Sequence, residues 1–227
     1  MKLKLIDKHQ EVDNIHTFIF KPPKNISWLP GQYMHVVLEH DNPDERGVER
    51  WFTIASPPYL KNINITTRYA DNLQSTFKKT LFSMDIGDTI YADEPEGDFV
   101  INDFTKKHIL IAGGIGITPF YAMLKQIDHK GTAVKADLIY LSRDDNLAFI
   151  DDFSAMEHKN SLFHVRKFVK DNKITDEEQS NLAEEQNSLF YVSGPKSMVG
   201  SYFEKLQNMG VSTDRLKKDF FPGYPNY

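Results

Sequence analysis

The 227-residue sequence contains no cysteine. Disulfides, a thiolate nucleophile and a cysteine-ligated iron–sulfur cluster are thereby excluded within it, so any such one-electron centre must belong to another partner. No apolar run approaches the ~20 residues needed to span a bilayer, and Met1-Lys-Leu-Lys-Leu-Ile-Asp7 carries no secretion signal. A soluble cytoplasmic protein without a membrane span is the expectation. Blocks of like charge are also missing: 27 basic and 32 acidic residues are interspersed, for a formal net charge of -5. This pattern argues against a nucleic-acid surface. The eight histidines show no H-x-x-x-H spacing, so no metal site is expected. Internal repeats and low-complexity tracts are absent.

What is present divides into two rhythms. Up to about residue 100, short β-formers recur in Leu3-Lys-Leu-Ile6, Ile15-His-Thr-Phe-Ile-Phe20, Tyr33-Met-His-Val-Val-Leu38, Trp51-Phe-Thr-Ile54, Ile63-Asn-Ile-Thr-Thr67 and Thr89-Ile-Tyr-Ala92. Turn signals such as Pro30-Gly31 and Pro57-Pro58 separate them. Six such strands predict a closed antiparallel barrel, interrupted by a short helix near residues 74–82. After residue 103, strands alternate with helices, which predicts a parallel sheet covered on both faces. The fold class expected is therefore all-β plus α/β: a six-stranded antiparallel β-barrel over residues 1–103, followed by a parallel-sheet α/β domain over 104–227.

The stretch Ile109-Leu-Ile-Ala-Gly-Gly-Ile-Gly-Ile-Thr-Pro-Phe120 organises the second part. It reads as a buried strand, a glycine turn, and a helix capped by Thr118 with Pro119 at its first position. Such a turn can seat a diphosphate on unpaired N–H groups, or be only a tight strand-to-helix connection, because Pro119 stands where a dinucleotide fingerprint has its third glycine. Three strand ends converge beyond the sheet: Gly113, Gly114 and Gly116; Ser142 and Arg143; and Ser193, Gly194 and Pro195. Together they favour a dinucleotide. Arg143 suits a 2′-phosphate, but Asp144 and Asp145 adjoin it, so the nucleotide is written NAD(P).

In the barrel half, Arg50, Trp51, Phe52 and Thr53 line up along one strand. They can offer a guanidinium, aromatic rings and a hydroxyl to a planar phosphate-bearing cofactor, or be a barrel strand with an exposed arginine and packed rings. Period two places Arg50 and Phe52 on one face. Ser75 and Thr76, with Asn72 before them, can bind phosphate at the helix start or merely cap the helix. Arg68 is a further phosphate contact or a surface charge.

The order of these motifs, from Gly31-Gln-Tyr33 to Asp219-Phe-Phe-Pro-Gly-Tyr224, resembles the ferredoxin–NADP reductase superfamily of flavoprotein reductases over nearly the whole chain. The resemblance implies that Arg50 meets the flavin phosphates, Phe52 the isoalloxazine and Thr53 its reactive nitrogen. It also implies that Ser75 and Thr76 meet the diphosphate, and that Gly113, Gly114, Gly116, Thr118, Pro119, Gly194, Pro195 and Met198 form the nicotinamide-nucleotide site. Phe52 stands for the family's tyrosine, Asn72 for a glycine, Ser193 for a cysteine and Asp219 for a glutamate. Thr53, Ser193 and Asp219 are the expected catalytic group, and Tyr224 or Tyr227 the expected cover of the flavin face. The implied cofactor is FAD rather than FMN, with NAD(P)H as substrate. The implied activity passes hydride to flavin and then electrons to a separate acceptor, such as a ferredoxin or another iron–sulfur protein. The alternative is a non-catalytic nucleotide-binding or regulatory subunit of the same fold.

Overall fold

In the computed structural model, residues 1–69, 75–170, 172, 174–185 and 187–220 are described. Six strands make the first sheet: β1 (Lys2–Val12), β2 (Ile15–Lys21), β3 (Tyr33–Val37), β4 (Glu49–Thr53), β5 (Ile63–Arg68) and β6 (Thr89–Ala92). All its pairings are antiparallel, in the order β4-β3-β6-β1-β2-β5. Just beyond β4, the Ala55 amide donates to the Asn64 carbonyl of β5 at 2.9 Å, so the two edges meet and the sheet curls into a barrel.

Alternation along β1 to β6 turns Leu3, Leu5, Phe18, Phe20, Met34, Val36, Ile63, Ile65 and Ile90 inward. Helix α1 (Thr76–Ser83) closes one end, driving Phe77 and Leu81, both fully buried, into that core. Burial of such side chains contributes roughly 1.5–3 kcal/mol each. β1 runs well past the four residues its sequence suggests. Its outer half is polar and exposed, and bulges at Leu5/Asp7 and Gln10/Val12 break the period of two.

The second sheet is parallel, in the order β11-β10-β7-β8-β9. It comprises β7 (Lys107–Gly113), β8 (Ala136–Ser142), β9 (Phe163–Val169), β10 (Ser188–Ser193) and β11 (Leu216–Asp219). Helices α2 (Thr118–His129) and α3 (Ile150–Lys159) bury one face around Phe120, Met123, Leu124 and Phe153. Helices α4 (Asp176–Ala183) and α5 (Lys196–Asn208) cover the other around Leu182, Val199 and Leu206. The chain leaves β7 toward β8 on one side and returns to β10 on the other, so the strand order reverses between β7 and β10. In an open parallel sheet, that reversal opens a crevice at the carboxyl ends of the strands.

The two sheets share packing. Ile15 of β2 and Phe99, which follows β6, belong to the core formed by α2, β7 and β8. Gly31 lies so close to this seam that a Cβ there would stand 2.1 Å from the Phe99 carbonyl oxygen and 2.4 Å from Met123 Cε. Among the described residues no helix is long and apolar enough to cross a membrane.

Candidate active site between the barrel and the parallel sheet

The crevice at the β7/β10 reversal is built by glycines that serve different purposes. Gly113 lets Met198 reach it, since an added Cβ would lie 2.3 Å from the Met198 sulfur. Gly116 lets the turn lie against β10's end, with an added Cβ 2.4 Å from the Ser193 carbonyl oxygen. Only Gly114 of the three, at φ +52°, faces open space, and left-handed backbone there favours glycine. The chain enters α2 through a 3-10 turn over Gly114–Ile117. Thr118 therefore does not cap the helix, as its sequence position suggests. It is already helical, its hydroxyl donates back to the Ile115 carbonyl at 3.1 Å, and Pro119 stands one place further in than expected. The 3-10 turn takes the place of the cap.

At the end of β10, Ser193 pairs in register with Asp219 of β11. The Ser193 hydroxyl donates to Asp219 Oδ2 at 3.2 Å, with the residues 1% and 7% exposed. Burial pushes the Asp219 carboxyl up to about 6, against the opposing pull of the Ser193 hydrogen bond. Its charge extends to the barrel: the Tyr33 hydroxyl is raised first by burial, then by Glu96, Asp219 and Asp98. Tyr33 is the register partner of Thr53. Thr53 is 4% exposed, and its hydroxyl oxygen has no hydrogen-bond partner among the described residues. A buried hydroxyl left this way accommodates a polar atom from outside the chain.

Arg50 and Phe52 do share a face, both against Phe77: the guanidinium carbon lies 5.1 Å from its ring centre and the Phe52 ring 5.9 Å. Phe52 is 7% exposed and belongs to the barrel core, so a planar ligand meets little of its ring. Trp51 is half-buried on the other side, edge-on to Tyr33 at 5.3 Å and 4.6 Å from the His35 ring. Arg50 Nη1 donates to the carbonyls of Arg46 (2.6 Å), Gly47 (3.3 Å) and Glu49, which aims its guanidinium along the start of α1.

At that helix start, Ser75 is the N-cap and its hydroxyl accepts from the Lys78 amide at 3.2 Å. Thr76, expected to meet phosphate, is instead held by the protein. Its amide donates to Asp44 Oδ2, and its hydroxyl accepts from the Asp44 amide and faces His40 Nε2, each at 2.9 Å. Burial acts to raise the Asp44 carboxyl, but hydrogen bonds from Arg46 and Thr76 outweigh it and hold it at about 2. Arg68, expected either at phosphate or in solvent, donates to Asp144 Oδ2 at 2.7 Å, across the two sheets. Burial opposes the ionised Asp144, and Arg68 more than offsets it. Ser142 turns to the same carboxylate at 3.3 Å, whereas Arg143 is exposed. Asp44, Lys78 and Asp144 were not among the residues expected from sequence. Their long-range partners, up to 76 residues away, leave no mark in the local pattern. Asn72, Tyr224 and Tyr227 lie outside the described residues.

The residues present fit the groups the motifs imply. The orphaned Thr53 hydroxyl suits a flavin heteroatom, the cations around α1 suit phosphates, and Gly114 leaves backbone open to a nucleotide.

Residues 110–203 match the family model of the oxidoreductase NAD-binding domain. Over 94% of its length the chain is 24% identical to flavohemoprotein A of Dictyostelium discoideum, and over 97% it is 27% identical to a flavohemoprotein of Pseudomonas putida. The chain spans 58% of the length of each of these curated relatives. Its backbone superposes on the flavohem-like FAD/NAD binding domain of nitric oxide dioxygenase from Vibrio cholerae with a TM-score of 0.81, at 18% identity, covering 96% of this chain and 97% of that one. A ferredoxin NADP+ reductase from Neisseria gonorrhoeae with bound FAD and NADP gives a TM-score of 0.76 at 18% identity, over 96% and 97%. With a barrel sheet leading into a parallel sheet that carries the NAD-binding match, the chain has the two-sheet fold of ferredoxin–NADP reductases and flavohemoprotein reductase domains.

Proposed function

We propose that the protein is an NAD(P)H-dependent flavoprotein oxidoreductase, with residues 1–103 holding FAD and residues 104–227 holding the nicotinamide nucleotide. The observation that carries the proposal is a buried polar group at a strand end in each sheet, with the charge of one reaching the neighbour of the other. The Ser193–Asp219 pair ends β10 and β11, and the orphaned Thr53 hydroxyl ends β4, linked by Tyr33, which pairs with Thr53 and senses Asp219. When bound, flavin supplies the two-electron acceptance and one-electron release that protein side chains lack.

The chain's own residues bind, orient and exclude water. Thr53 Oγ1 fixes the flavin edge, and Arg50 meets its phosphates beside Ser75. Gly114 admits the nucleotide backbone, while Gly194, Pro195 and Met198 wall the crevice. Asp219, with its carboxyl near 6, holds a proton part of the time around neutral pH and can exchange it at the cleft. Ser193 orients that carboxylate.

For the acceptor we propose a haem group on another domain or protein. The flavohemoprotein relatives support it, as does a neighbour described as a flavohemoglobin of Malassezia yamatoensis with bound FAD and heme. A ferredoxin is the second reading, favoured by the neighbour described as a ferredoxin NADP+ reductase of Neisseria gonorrhoeae.

Anaerobic titration of the flavin-loaded protein with NADH and NADPH separately tests the activity. Bleaching of the flavin band supports it, followed by reoxidation on adding a ferric globin or an oxidised ferredoxin. Protein that accepts no flavin supports the regulatory-subunit alternative instead.

A further inference from the structure

Met198 stands in the first turn of α5, and its side chain fills space that two glycines leave free. Its sulfur lies 2.3 Å and its Cε 2.9 Å from where a Cβ on Gly113 would stand, and Cε lies 3.0 Å from where one on Gly194 would stand. The thioether therefore rests on backbone at the ends of β7 and β10, on the wall of the crevice. The Gly113 carbonyl oxygen adjoins this seat, 3.1 Å from the Gly194 position. A soft, nearly apolar sulfur tolerates such surroundings because it requires no hydrogen bond.

Access separates this methionine from most of the others. Met34, Met84, Met123 and Met156 are 5% exposed or less. Met198 is half-buried, with exposed Pro195, Lys196 and Ser197 just before it. Met1 and Met209 share that partial exposure. Met209 closes the other end of α5, roughly 16 Å away along the helix. It stands among Ala183, Glu184 and Arg215, toward the amino ends of the strands, where Arg215 meets the Ser188 carbonyl.

We propose that Met198 is an oxidation site through which hydrogen peroxide closes the nucleotide crevice. This rests on the flavoprotein reading given above, in which reductant spent without an acceptor goes to dioxygen: NAD(P)H, a proton and dioxygen give NAD(P)+ and hydrogen peroxide. The thioether sulfur attacks the peroxide, the O–O bond breaks, one oxygen forms the S–O bond and the other leaves as water. Sulfur loses two electrons and the peroxide gains them. The product no longer suits its seat. A sulfoxide oxygen is an acceptor, and here it is set against glycine carbon and the Gly113 carbonyl oxygen, neither of which supplies an N–H or O–H. It turns outward into the crevice or lifts the side chain off both glycines, and either movement obstructs the approach of the nucleotide. Turnover that leaks electrons to oxygen thus slows its own supply of reductant, and a methionine sulfoxide reductase reopens the site.

The test treats the full, flavin-loaded chain with hydrogen peroxide, maps the oxidised methionines by peptide mass, and titrates NAD+ and NADP+ calorimetrically, since neither is turned over. Met198 should gain one oxygen ahead of Met34, Met84, Met123 and Met156. The affinity for the tighter-binding nucleotide should fall about tenfold, with bound flavin unchanged. Methionine sulfoxide reductases with a thiol reductant should restore it, a readout that needs no variant. Met198→Leu, whatever its starting affinity, should not weaken further on treatment, whereas Met209→Leu should weaken as the unaltered protein does. Met198 left unoxidised while Met209 is oxidised, full oxidation of Met198 without loss of affinity, or an equal loss in Met198→Leu overturns the assignment and leaves the flavoprotein reading intact. Untreated protein that binds neither nucleotide overturns both.

Discussion

Ser193 and Asp219 sit side by side on neighbouring parallel strands, and the serine hydroxyl donates 3.2 Å into a carboxylate that burial otherwise disfavours. The hydrogen bond favours the ionised form, so removing it has a defined sign. Ser193→Ala should raise the Asp219 pKa above about 6 and move the acidic limb of the kcat/KM profile for NAD(P)H oxidation to higher pH, by roughly half to one unit. An acidic limb that does not move would separate Asp219 from the rate-controlling ionisation.

The same carboxyl links stability to pH. Its folded-state pKa, about 6, lies above that of an unfolded aspartate, so the favourable contribution is complete below about pH 4 and is lost as the pH rises through 6. Asp219→Asn carries no such loss and its Oδ1 can still accept from Ser193. Relative to the unaltered protein it should gain roughly 2–3 kcal/mol between about pH 4 and about pH 7.5, read from urea unfolding at both pH values. Turnover should fall in the same variant.

Gly113 and Gly116 separate by what a methyl group would meet. At Gly113 the near atoms are the flexible end of Met198, whereas at Gly116 they are the backbone of Ser193 and Gly194. Gly116→Ala should cost about 2–3 kcal/mol and weaken nucleotide binding, and Gly113→Ala about 1 kcal/mol, largely recovered when combined with Met198→Ala. Thermal unfolding and NAD(P)H titration of the single and double variants measure both. Equal costs at the two glycines would contradict the packing described.

Asp144 stands two residues beyond β8, where it neutralises Arg68. Both partners are about a third exposed, so Asp144→Asn should change stability by under about 1 kcal/mol. Removing the acid beside Arg143 should nonetheless favour a 2′-phosphate by roughly fivefold in the ratio of kcat/KM for NADPH to that for NADH, about 1 kcal/mol for one charge near the surface. Steady-state rates with each nucleotide give that ratio.

Much of this architecture was legible in the amino-acid order. Buried strands such as Tyr33–Val37 and Ile63–Arg68 announce themselves because alternation and β-branching coincide with burial. The parallel sheet was legible for the same reason, through its continuous apolar runs. β11 was not: Leu216-Lys-Lys-Asp219 places two lysines in a four-residue edge strand, and its identity depends on pairing with β10. Site residues divided along the same line. Ser75 is a cap because of its immediate neighbours, one of the two roles its sequence position offers. Thr76 and Arg68 look available in isolation, yet Asp44 and Asp144 claim them from 32 and 76 residues away. Contacts of that range come from tertiary packing, which local pattern does not encode.

Phe99 and Ile15 precede the parallel sheet in the chain yet are built into its hydrophobic interior. Severing the polypeptide near residue 103 would strip two plugs from the downstream fragment and leave greasy stubs on the upstream one. Neither piece should persist alone in solution, but produced together they should reassociate without any engineered tag. The protein is thus a natural starting point for a split reporter whose halves regain colour only when they meet.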